Sequence, residues 1–168
     1  MRRALPALLA LVVAAIAAAM VSMFLDLRRL HGGERAAAEA LAAARAFAPE
    51  MLSYDYRTID RDLARAAAHA TGRLAEHYRR LGATLGPQAR ERRTIRQAVV
   101  SAAGVESATP DEVRVLLFVN FITTRSDPKS GTAKQQVSRG RARLVMVTQG
   151  DGWRASRLST LLGDTPVP

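Results

Sequence analysis

No charged residue occurs between positions 4 and 25, and this run follows directly after Arg2 and Arg3. As a helix it would be about 33 Å long, enough to cross a hydrocarbon core of about 30 Å. The run ends at Asp26, where charged residues begin. We therefore predict a cytoplasmic head over 1–3 and one transmembrane helix over 4–25.

A cleaved secretory signal is the alternative interpretation of this segment. Arg2 and Arg3 would form its basic end, and Ala15-Ile16-Ala17 or Ala17-Ala18-Ala19 would supply a cleavage site of small residues. The apolar run is longer than a usual signal core, so we favour a retained anchor. The very short head favours a single-pass plasma-membrane protein with its N-terminus in the cytoplasm and its C-terminal domain on the envelope side.

The chain is basic, with 25 Lys and Arg residues against 15 Asp and Glu residues and a net charge of +10. A basic domain beside a membrane is expected to contact anionic lipid headgroups or acidic proteins. The zero cysteine count excludes disulfides, cysteine-based zinc sites and thiol catalysis. Because no nucleic-acid-binding motif occurs, we predict no nucleic-acid partner.

An alanine-rich stretch follows the apolar run and predicts a juxtamembrane helix within 26–50, which Pro49 ends or kinks. Its small side chains allow close approach of another helix, so self-association through this helix is expected as one option. The residues expected to pack are Ala37, Leu41, Ala44 and Ala48.

Two further helices are predicted by apolar residues at helical spacing, one from Ile59 to Ala70 and one from Gly72 to about Leu81. The second should end at the helix breakers that follow it. Those breakers are Gly82, Gly86 and Pro87.

From Thr94 onward the pattern becomes extended. Both faces of the segment 113–122 are apolar, which predicts a central strand covered on two sides. A polar hairpin loop is expected over 125–135. The four predicted strands cover 95–105, 113–122, 136–148 and 153–161.

Helices followed by strands indicate an α+β fold, with the helices packed on one face of a curved four-stranded antiparallel sheet. This order of elements fits the cone-shaped fold called nuclear transport factor 2-like, cystatin-like or SnoaL-like. We predict one such domain over 51–162, followed by a flexible tail over 163–168.

The segment 52–63, LSYDYRTIDRDL, followed by Ala70-Thr71-Gly72, resembles the Mce-associated membrane proteins of mycobacteria and related actinobacteria. Segments 99–107, 115–120 and 150–153 agree with that family more weakly. The resemblance implies a non-catalytic accessory subunit that docks through its extracytoplasmic domain onto an Mce complex, a lipid importer of the cell envelope. Expected partners are therefore Mce subunits and membrane lipid.

Two sets of residues are candidates for a binding site, and none is predicted as a catalytic residue, a metal ligand or a cofactor contact. Three arginines on one strand face form a candidate docking surface: Arg139, Arg141 and Arg143. Four aromatic residues are candidates for the lining of a pocket: Tyr54, Tyr56, Tyr78 and Trp153.

Three other functions remain as alternatives to the accessory subunit. The cone could bind a lipid or another small apolar ligand in its interior. The protein could be an assembly scaffold of a different envelope transport or secretion machine. An isomerase-like enzyme would need a buried acid near a tyrosine, for which the candidates are Asp60, Asp62 and Glu106.

Overall fold

The computed structural model describes residues 32–126 and 132–161, together with Ile16, Met20 and Met23. The latter three residues are helical and exposed. The predicted transmembrane helix over 4–25 otherwise lies outside the described residues, as do the head over 1–3 and the tail over 163–168. Among the residues described, we find no helix with the length and apolar character needed to cross a membrane.

The first helix, α1, covers residues 32–52 and therefore continues past Pro49, which does not end it. It packs against the sheet through an alanine at every fourth position, which places all of them on one face of the helix. Because these side chains are small, the helix axis lies close to the sheet. The buried alanines are Ala36, Ala40, Ala44 and Ala48, with exposures of 5% or less.

Helix α2 covers Ile59–Ala68 and helix α3 covers Gly72–Glu91. The prediction that glycine and proline residues end α3 near Leu81 is wrong, because Pro87 lies inside the helix. Packing explains the extension. Ala89 in the last turn is 2% exposed, and its carbonyl oxygen accepts a hydrogen bond from the Thr94 N–H at 2.8 Å.

The strands form one antiparallel sheet in the order β1-β2-β3-β4-β5. Their bounds are Tyr54–Asp55 for β1, Ile95–Ala108 for β2, Glu112–Ser126 for β3, Ala133–Gln149 for β4 and Gly152–Leu161 for β5. The sheet thus has five strands and not the four predicted, because the connector after α1 adds β1 at one edge. Strands β3 and β4 also extend into the region predicted as a loop over 125–135.

The helices lie on one face of the sheet, as an α+β cone requires, and the core fills the space between them. Two contacts close this core at the far edge of the sheet. Ala155 of β5 exchanges backbone hydrogen bonds with the turn between α2 and α3, donating to His69 O at 2.9 Å and accepting from Thr71 N at 2.8 Å. The Trp153 Nε1–H donates to the Glu39 carboxylate of α1 at 3.3 Å.

Candidate docking face of the sheet

Three apolar side chains of β3 face away from the helices, Leu116, Phe118 and Ile122, and no described element covers them. Phe118 is 44% exposed there, and Leu116 and Ile122 are only partly buried. The prediction that β3 is covered on two sides is therefore wrong. Its inward side chains are buried as expected: Val113, Val115, Leu117, Val119 and Phe121.

The register of the sheet explains why Phe118 stays accessible. Phe118 lies between Ala102 of β2 and Arg141 of β4, and Leu116 lies between Gly104 and Arg143. Because Ala102 and Gly104 have small side chains or none, the β2 residues paired with Phe118 and Leu116 cover little of them. We call this surface the outer face and define it by the side chains of β2 to β4 that point away from the helices.

Two more apolar side chains add to the outer face. Val99 is opposite Asn120 and is 52% exposed, and Val137 is opposite Ile122 and is 66% exposed. Single exposed apolar residues are common on soluble domains, whereas apolar patches are typical of interaction sites, so this face is a candidate docking surface.

The three arginines of the candidate docking surface all lie on the outer face of β4, but they differ in their partners. Arg143 makes a double hydrogen bond to Glu106 of β2, from Nε at 2.5 Å and from Nη2 at 2.8 Å. These hydrogen bonds lower the pKa of the Glu106 carboxyl below its usual value. Arg139 and Arg141 are exposed and pair with no carboxylate in the part of the chain that the structure describes. Two of the three charges are thus free to meet a partner.

The four aromatic residues predicted to line a pocket do not come together around one cavity. Tyr78 and Trp153 are buried in the core, and the Tyr78 hydroxyl donates to Met51 O at 2.9 Å. Burial raises the pKa of Tyr78 well above its usual value. Tyr54 and Tyr56 lie partly buried at the edge of the core. A groove of about 520 Å³ opens elsewhere, and none of these four side chains lines it.

Each carboxylate considered for acid–base chemistry contacts an arginine. Asp60 is exposed and pairs with Arg90 of α3. Asp62 is 6% exposed, pairs with Arg65, and accepts hydrogen bonds from Asp55 N and from the Thr58 hydroxyl. The hydrogen bonds of Asp62 organise the turn before α2. Glu106 pairs with Arg143, as described above.

The two described histidines also have structural contacts. His69 stacks on Phe47 with 4.3 Å between ring centroids and hydrogen-bonds Glu50 at 2.9 Å. His77 packs edge-on against Tyr78. Within residues 32–126 and 132–161, no group of three metal-binding side chains lies together.

A family model described as "Uncharacterized protein Rv1363c/MT1408-like" matches residues 3–160. The chain belongs to this family. A relative from Mycobacterium tuberculosis (strain ATCC 25618 / H37Rv), "Uncharacterized protein Rv1362c", is 32% identical over 119 residues, which are 70% of this chain and 51% of that protein. The chain therefore spans about half the length of the curated relatives it matches.

Solved structures with the same fold have 10–13% sequence identity to this member of the Rv1363c/MT1408-like family. An IcmL-like type IV secretion system protein from Legionella pneumophila has a TM-score of 0.57, over 78% of this chain and 93% of that one. The VirB8 protein of Agrobacterium tumefaciens has a TM-score of 0.54, over 78% and 92%. An Ntf2-like protein involved in plasmid conjugation has a TM-score of 0.51, over 78% and 51%.

These comparisons confirm the predicted nuclear transport factor 2-like fold and a mycobacterial family. None of the names mentions an Mce complex, so the resemblance to Mce-associated proteins stays a prediction. The sequence predicted the arginines of the outer face and also the apolar residues beside them. It did not predict that these apolar residues are exposed, because a strand that is apolar on both faces was expected to have a second cover.

Proposed function

We propose that this protein is a non-catalytic assembly subunit of an envelope transport machine, and that its outer face binds a partner protein of that machine. The observation that supports this proposal is the uncovered apolar centre on the outer side of β3, formed by Leu116, Phe118 and Ile122. Phe118 is 44% exposed on a central strand, where burial is the rule for a side chain of this size. A partner that covers it would remove apolar surface from water.

The charges beside Phe118 indicate what kind of partner fits. Arg139 and Arg141 flank the apolar centre and lack described acidic partners, so the matching surface should be apolar in its middle and acidic at its rim. Arginine suits such an edge because its planar group binds carboxylates with two hydrogen bonds.

The location in the envelope is part of the proposal. The uncharged run over 4–25 supports an anchor that holds the domain at the outer side of the plasma membrane. The fold shared with an IcmL-like type IV secretion system protein supports an assembly role, because that protein is named as part of such a system. An Mce-type lipid importer is the specific machine that the segment 52–63 suggests.

Charge reversal on the outer face tests the proposal. The double variant Arg139→Glu/Arg141→Glu should lose partner proteins that co-purify with the tagged wild-type chain from native membranes. The matched control is Arg79→Glu/Arg80→Glu, which changes the charge equally on exposed residues of α3. We expect the control to retain its partners.

The identity of the recovered proteins decides between machines. Mce-type subunits among them would support lipid import, and secretion-type subunits would support the broader assembly role. If both double variants retain the same partners as the wild type, the outer face is not the docking surface. If the wild type recovers no protein but binds anionic vesicles, and Arg139→Glu/Arg141→Glu loses that binding, the surface is a membrane contact instead.

A further inference from the structure

The edge of the sheet at β2 is largely unpaired. Strand β1 pairs only with Ile95 and Arg96 at the start of β2, and the rest of β2 has no neighbour on that side among the described strands. The unpaired segment borders the groove of about 520 Å³ mentioned above. Arg45 and Pro49 of α1 form one wall, and residues 98–102 of β2 form the other.

Two side chains already bind backbone groups on this edge. The Ser53 hydroxyl, directly before the start of β1, accepts a hydrogen bond from Ala98 N at 2.9 Å. The Arg45 guanidinium donates to Ala103 O at 3.2 Å. These contacts show that Ala98 N and Ala103 O both point away from β3, toward the side on which α1 lies.

A bulge in β2 explains why the backbone groups of Ala98 and Ala103 point to the same side although the two residues are five positions apart. In a regular strand, backbone groups point to the same side at every second residue, so positions five apart would point to opposite sides. A bulge at Ser101, between the pairs Val100–Val119 and Ala102–Phe118, inserts one residue and restores the alignment. The backbone groups of Val100, two residues after Ala98, therefore also point into the groove, with no described partner.

We propose that the free edge of β2 over 98–105 binds an extended peptide segment of a partner protein by strand addition, with a peptide carboxylate against Arg45. Unpaired backbone groups at an edge are a template for another strand. The added strand would bind the free groups of Val100 and replace the contacts of Ser53 with Ala98 and of Arg45 with Ala103. A second bulge at Glu106 interrupts the edge, so the site accepts about six residues, roughly 20 Å of extended chain.

Charge favours an acidic peptide over a second copy of this chain. Arg45 is exposed beside the edge and pairs with no carboxylate within the described residues. A second copy would bring its own Arg45 to the same place, and it carries the same net charge of +10 over the whole chain. The inference is independent of the proposed function, because the edge can bind a peptide whether or not the outer face binds a protein.

The test begins with selection of a random 12-residue peptide library, displayed on phage, on the purified full-length chain. We expect enrichment of peptides with an acidic residue within or beside a β-prone stretch. A synthetic copy of an enriched peptide should bind the Arg45→Glu variant at least tenfold more weakly, and Arg79→Glu should bind it like the wild type. Arg79 is an exposed residue of α3, away from the groove.

An N-methyl scan of the peptide gives a readout that needs no protein variant. Methylation removes one backbone donor at a time, so strand addition predicts that binding is lost at every second position and kept at those between. Loss without alternation would overturn the proposal, as would failure to enrich any peptide. The chain could instead dimerise through this edge, which would block peptide selection. Dimerisation that is lost in Val100→Pro would overturn the peptide proposal in favour of a second copy.

Discussion

The hydroxyl of Tyr78 on α3 donates a hydrogen bond to the carbonyl oxygen of Met51, in the last turn of α1, across 2.9 Å. Carbonyl groups in a last helical turn have no partner within the helix and need one from elsewhere when buried. Met51 and Tyr78 are each 5% exposed, so water does not supply a hydrogen bond to the Met51 carbonyl oxygen. The contact therefore fixes the end of α1, and with it the start of β1.

Replacement of Tyr78 by phenylalanine should lower the free energy of unfolding by about 1 kcal/mol at pH 7, because the buried Met51 oxygen loses its donor. The effect should depend on pH. Since the pKa of Tyr78 is raised in the folded protein, its contribution is complete below the unfolded pKa of about 10 and is lost as pH rises toward the folded pKa. Urea unfolding at pH 7 and at pH 10.5 measures both effects. The difference between wild type and Tyr78→Phe should shrink at the higher pH, and a constant difference would contradict this account.

The alanine face of α1 gives a second prediction. Ala44 is fully buried against the sheet, whereas Ala42 on the same helix is exposed. Ala44→Leu should destabilise the fold by about 1–3 kcal/mol through overpacking, and Ala42→Leu should change stability by less than about 0.5 kcal/mol. Thermal unfolding of both variants checks the orientation of α1. A larger loss of stability in Ala42→Leu than in Ala44→Leu would contradict this account, because it would mean that Ala42 and not Ala44 faces the sheet.

The turn before α2 gives a third prediction through two neighbouring aspartates. Asp62 is buried and accepts hydrogen bonds from Asp55 N at 3.0 Å and from the Thr58 hydroxyl at 2.8 Å. Asp62→Ala leaves these donors unpaired and should cost about 1–3 kcal/mol of stability. Asp60→Ala removes only an exposed ion pair with Arg90 and should cost less than about 0.5 kcal/mol. Urea titrations of both variants compare the two costs, and equal costs would contradict the structural role of Asp62.

The outer face gives a fourth prediction, which concerns partner binding and stability. Phe118→Ser removes an exposed apolar group, so it should leave the fold intact and weaken binding to the partner surface. The inward neighbour Leu117 is fully buried, and Leu117→Ser should instead unfold or strongly destabilise the domain. Circular dichroism together with co-purification separates the two outcomes. Unchanged partner recovery with Phe118→Ser would count against the docking role.

Much of the sheet could be predicted because alternation of apolar residues has the same period as a strand. The β2 to β5 meander follows from it, and so do the buried residues of β3. Strand β1 escaped prediction because it is only two residues long and pairs through its backbone with Ile95 and Arg96. The extension of α3 through Pro87 depends on tertiary packing, which local breaker signals do not contain.

The candidate site was predictable only in part, for a similar reason. The arginines at 139, 141 and 143 alternate with buried residues, so their shared face could be read from the sequence. The pairing of Arg143 with Glu106 depends on the bulge in β2, and no short sequence motif predicts that bulge. The groove beside Arg45 likewise depends on where α1 lies relative to the β2 edge.

Site-specific photo-cross-linking tests the central claim most directly, because it asks what lies against Phe118 in the cell envelope. A photoreactive phenylalanine analogue at position 118 should cross-link to one partner protein in native membranes, and the same analogue at position 76, on the exposed side of α3, should not. Arg139→Glu/Arg141→Glu should abolish the product. Equal products from both positions, or no protein product from position 118, would contradict the account.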